Sequence, residues 1–70
     1  MKYLLINVFS CPGYSLLIHG NFKGMTDEEI INKCKEKDIF HNSEYDSEVA
    51  SVVEADDNDI KCFYGDIIEM

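Results

Sequence analysis

The chain is poor in the residues that punctuate, crosslink or cluster. Its 70 residues include one proline, four glycines and three cysteines. The glycines, at positions 13, 20, 24 and 65, stand apart, which excludes a glycine-rich phosphate-cradling loop. Cys11, Cys34 and Cys62 are odd in number and form no Cys-x-x-Cys pair. They read as reduced thiols acting as small hydrophobes, in keeping with a cytoplasmic protein. No apolar run approaches the ~18 residues of a membrane span. A charged segment, an apolar segment and a small-residue cleavage site do not follow one another at the amino end, so secretion is not expected.

Charge is missing by region. The first 26 residues contain no acid and two lysines, whereas residues 27–70 carry all 14 acids. The formal net charge is −8, which disfavours direct contact with nucleic acid or with an anionic membrane. Between positions 44 and 59 there is no base at all. That stretch holds Glu44, Asp46, Glu48, Glu54, Asp56, Asp57 and Asp59.

What is present points to a folded chain. Hydrophobic residues make up 46%, too many for a disordered tail. At 8.0 kDa the chain has room for one small domain, residues 1–70. Such a domain buries only about 60% of its unfolded surface and benefits from a crosslink, a metal or a partner. The cysteine pattern argues against the first two and leaves a partner or a second copy.

Residues 2–9 have Leu4, Ile6 and Val8 on one face and Tyr3, Leu5, Asn7 and Phe9 on the other, which predicts an interior strand. Pro12-Gly13 predicts a type II turn into a second, antiparallel strand over 14–22, where Gly20 marks a bulge or a close backbone approach. Thr26 and Glu29 predict a capping box opening a helix over 25–38. Met25 and Ile30 form a hydrophobic staple there, and Ile30, Ile31 and Cys34 form the buried stripe. Ile39 and Phe40 extend that stripe. Residues 41–47 read as a polar loop and 48–55 as a third strand, with Val49 and Val53 on one face and Val52 on the other. Asp56–Asp59 reads as a turn and 60–64 as a fourth strand, before an Ile67-Ile68 tail. The sum is an α+β fold of ββαββ order, an antiparallel sheet with one helix packed on one face.

Catalytic and metal chemistry find little support. Cys11, His19, Cys34, His41 and Cys62 are scattered singly, without zinc-ligand spacing. The acidic turn lacks the glycine and terminal glutamate of a calcium loop. Cys11 with His19 or His41 is the one nucleophile–base pairing to consider, in a chain with little room for a substrate pocket. No enzymatic activity, metal or cofactor is expected.

The acids offer more. Glu44, Asp46, Glu48, Glu54 and Asp56 all fall on even numbers, so an extended segment would point them one way about 6.6 Å apart, close to two phosphate steps of a duplex strand. Tyr45 among them supplies an aromatic anchor within a polar rim. Partner binding is therefore expected at Glu44, Tyr45, Asp46, Glu48, Glu54, Asp56, Asp57 and Asp59, against the basic surface of a nucleic-acid-binding protein. The bland reading is that the acidity serves solubility. The composition, though no motif, resembles that of small acidic phage and mobile-element proteins that inhibit restriction or CRISPR machinery by mimicking nucleic acid. The resemblance implies a non-enzymatic inhibitor or modulator. The alternative is a structural module that forms a homodimer or joins a complex through a sheet edge or its apolar hairpin, with Tyr3, Phe9 and Leu17 as contacts.

Overall fold

The computed structural model describes residues 1–70, apart from the side chain of Ser43. The chain is α+β, with strands β1 (Lys2–Val8), β2 (Tyr14–Gly20), β3 (Ala50–Glu54) and β4 (Ile68–Glu69). Helices α1 (Asp27–Glu36), α2 (Ser43–Asp46) and α3 (Asp57–Cys62) lie between them. Strand order is β3-β1-β2-β4. As its apolar faces predict, β1 is interior, paired antiparallel with β2 through Ile6↔Leu16 and with β3 through Ile6↔Val52.

The sheet is mixed rather than antiparallel, because β4 runs parallel to β2 through Ile18↔Ile68. The reading of 60–64 as a strand is thus corrected. Residues 57–62 are helical, with Asp56 as N-cap and a reciprocal capping box. The Asp56 carboxylate accepts from the Asp59 N–H at 2.8 Å, and the Asp59 carboxylate accepts from the Asp56 N–H at 3.1 Å. Two satisfied donors start a helix where a turn was expected. The residues after it stay out of the sheet, and Tyr64 is 98% exposed.

The β1–β2 turn differs too. Gly13 does not take a positive φ, so the turn is not type II. Glycine is needed at 13 for space, since a Cβ there would sit 3.1 Å from the Val8 carbonyl oxygen. Gly20 marks a close approach, its missing Cβ lying 3.1 Å from the Met70 Cβ.

Helix α1 begins at Thr26, whose hydroxyl accepts from the Glu29 N–H at 3.2 Å. Glu29 answers with its carboxylate on the Thr26 hydroxyl rather than on the backbone. Ile30 and Cys34 are buried with Leu4, Ile6, Val8, Ile18, Phe22 and Phe40, and Met25 packs against this cluster. Val52 and Ile68 join from the edge strands. Burial, partly offset by nearby Lys33, pushes the Cys34 thiol up to about 11.

The opposite face is covered as well. Leu17 points away from the α1 layer, pairs with Leu5, and is only 1% exposed. The β3–α3–β4 connection joins parallel strands at opposite edges and so has to pass β1 and β2. Half-buried Ile60 and Phe63 belong to that connection. The expectation of one helix on one face is therefore too simple.

Candidate binding surface

The acidic residues do not form one extended row. Residues 43–46 are helical, 50–54 form β3 with a single acid, and 57–62 are helical again. Glu44, Tyr45 and Glu48 lie at one end of β3 and are exposed. Asp56 and Asp57, also exposed, and half-buried Asp59 lie at the other. Five strand residues separate the groups, roughly 13 Å at 3.3 Å per step. Two-residue alternation applies only to extended backbone, and helices at both ends break it. Glu54 is exposed and pairs loosely with Lys2 at 4.0 Å.

Asp46 departs most from expectation. It is 3% exposed and faces inward. Its Oδ2 accepts from the Tyr14 hydroxyl at 2.5 Å and from the Asn42 N–H at 2.9 Å. The Tyr14 oxygen in turn accepts from the His41 N–H at 3.0 Å, and the Tyr14 ring stacks on the His41 ring with centroids 4.0 Å apart. These bonds tie the start of β2 to the α2 turn, 32 residues away. The tyrosine hydroxyl, with the Asn42 N–H, holds the Asp46 carboxyl below its usual range. Burial, then the bond to Asp46, pushes the Tyr14 hydroxyl up, so the proton stays on tyrosine and the charge on aspartate. Asp46 is a positioning residue: it fixes the turn that presents Glu44 and Tyr45.

Between this turn and the β1–β2 turn lies an open recess of about 370 Å³. It is lined by residues 10–13 together with Tyr14, His41, Asn42, Tyr45 and Asp46. Tyr45 is 67% exposed at its edge. The sequence did not reveal this site, because its walls come from segments about 30 residues apart. The thiol of Cys11 is exposed there, and Cys62 is exposed on α3.

His19 is half-buried, stacked on Tyr3 at 4.3 Å, with Nδ1 2.9 Å from the Glu69 carboxylate. Among the described residues, no three of His, Cys, Asp and Glu come together as metal ligands would. No helix is long and apolar enough to cross a membrane. Among the hairpin contacts of the alternative reading, Leu17 is buried and unavailable, Tyr3 is half-buried, and Phe9 is 67% exposed.

Compared with known proteins, the chain matches no family model, no curated protein and no solved structure.

Proposed function

We propose that the protein is a non-enzymatic binding protein. It docks on a basic surface of a nucleic-acid-handling protein and modulates it by occupying that surface. The observation that carries this reading is the α2 turn. An exposed tyrosine stands between exposed Glu44 and Glu48, on a segment pinned to the sheet by a buried carboxylate. A rigid aromatic anchor within a charged rim suits short-range fit, and the net charge of −8 suits long-range attraction. The two acid groups, about one strand length apart, make two separate charged contacts in place of a continuous phosphate-like row.

Affinity capture from a host lysate at low salt, eluted with a salt gradient, tests the reading. Glu44→Gln with Glu48→Gln should elute the partner earlier, and Asp56→Asn with Asp57→Asn should do so to a smaller degree. Retention that is flat across the gradient would sink it.

A second reading is favoured by β3. Among the described residues this strand pairs only with β1, so its other edge is free, and Val53 on it and Val49 just before it are exposed. Such an edge suits strand addition by a second copy. Sedimentation across a dilution series separates the two, since a strict monomer at high concentration removes self-association.

A further inference from the structure

We infer that the recess between the β1–β2 turn and α2 is a socket for the guanidinium group of a partner's arginine side chain. This deepens the reading of an acidic docking surface and rests on it.

Four observations converge. First, three aromatic rings line the recess: Tyr14 and His41, stacked on each other, and Tyr45. Aromatic faces attract cations, and a planar guanidinium stacks on them where a hydrated ammonium does not. Second, the charge is negative and fixed. Asp46 lines the recess, and no lysine is among the described residues around it. Third, one carboxylate oxygen is left over. Both bonds to Asp46 end on Oδ2, and among the described residues Oδ1 has no partner. The residue that carries it is 97% covered, so the carboxylate is largely desolvated. An ionised oxygen held in place and half-desolvated is a strong acceptor for an N–H donor. Fourth, the size fits. At about 370 Å³ the open recess admits a planar head group together with part of its aliphatic stem.

The arrangement also assigns roles. Tyr14 and Asn42 orient the carboxylate, Oδ1 accepts from the guanidinium, and Tyr45 covers it from the solvent side. Glu44 and Glu48 on the same turn raise the local concentration of cationic side chains without touching the bound group.

The test uses the whole chain and acetyl-arginine amide, with acetyl-citrulline amide as the neutral isostere, followed by NMR of the tyrosine and histidine ring protons. The arginine probe should give saturable shifts at Tyr14, His41 and Tyr45 in the ~mM range expected of a single contact. The citrulline probe should give none. Asp46→Asn keeps an acceptor for Tyr14 and Asn42 but removes the charge, and should weaken the response at least tenfold. If that variant fails to fold, Tyr45→Ala, at a surface position, should weaken it several-fold.

Equal shifts from citrulline, an unchanged response in both variants, or no saturable shift with arginine would each overturn the socket. An oligolysine probe run in parallel separates this failure from a wider one. Salt-dependent amide shifts at Glu44, Glu48 and Asp57, with silent recess rings, would leave the acidic docking surface standing and remove the socket alone. Silence toward both probes removes both.

Discussion

Helices α2 and α3 are short, acidic and separated by one strand, yet their carboxylates do different work. In α3, Asp56 and Asp59 satisfy each other's backbone N–H groups within three residues. In α2, Asp46 ignores its own turn's exposed side and reaches across the fold to Tyr14. The first arrangement is closed within three residues. The second exists only once the sheet has formed. Counting acids along a sequence therefore overstates the charge available to a partner. Of the seven acids between 44 and 59, one is buried and two serve a helix cap.

The comparison is open to attack at several points. Each region has an exposed thiol, Cys11 beside α2 and Cys62 in α3, while Cys34 sits on the buried face of α1 with no exposed surface. At neutral pH a thiol reagent should modify two cysteines quickly and Cys34 at least ~100-fold more slowly, because reaction there requires local opening. Because the folded Cys34 pKa is raised above its ordinary value, its contribution to stability is lost as pH rises from about 9 toward about 11. Three thiols reacting alike would mean that the core opens far more readily than its burial implies.

Tyr14→Phe removes the hydroxyl from both Asp46 and the His41 N–H. It should cost about 1–3 kcal/mol in urea denaturation at neutral pH. The same variant should flatten the acid limb. In the native chain the Asp46 pKa is depressed, so its contribution is present above the ordinary carboxylate value of 3.8 and is lost as pH falls through the lower folded value. A Tyr14→Phe chain with an unchanged acid limb would show that the tie between β2 and α2 is incidental.

Asp56→Ala removes one local cap and should cost about 1 kcal/mol. Amide exchange should accelerate over 57–62 and stay unchanged over 43–46. Acceleration in both segments would show that the two helices are not independent. The smallest effect belongs to Glu54, on the strand between them. Its 4.0 Å pairing with Lys2 is exposed, so Glu54→Gln should change stability by less than about 0.5 kcal/mol.

What the sequence disclosed followed from local rules. Alternation placed β1 and β2, and the Thr26 cap with the Ile30–Cys34 stripe placed α1, because each pattern is complete within a few residues. The third strand is shorter than its expected span of 48–55: β3 runs Ala50–Glu54, and Val49 lies in the bend before it. Helix α3 was also legible, had Asp56 and Asp59 been read as an aspartate version of the capping box. Aromatic residues such as Phe63 and Tyr64 favour strands, so local propensity and the cap point to different structures here. The recess was not legible at all. It depends on a contact between positions 14 and 46, which has no local signature here. Strand β4, two residues long, gains its place only through pairing with β2.

The hydroxyl-to-carboxylate link between Tyr14 and Asp46 also makes shape recognition contingent on integrity. Melting the chain abolishes the recess, so anything seated in it is thermodynamically coupled to the native state. An occupied molecule should thus resist heat better than an empty one, in proportion to the logarithm of occupant concentration, and a destabilised variant should bind less even when every contacting side chain is intact.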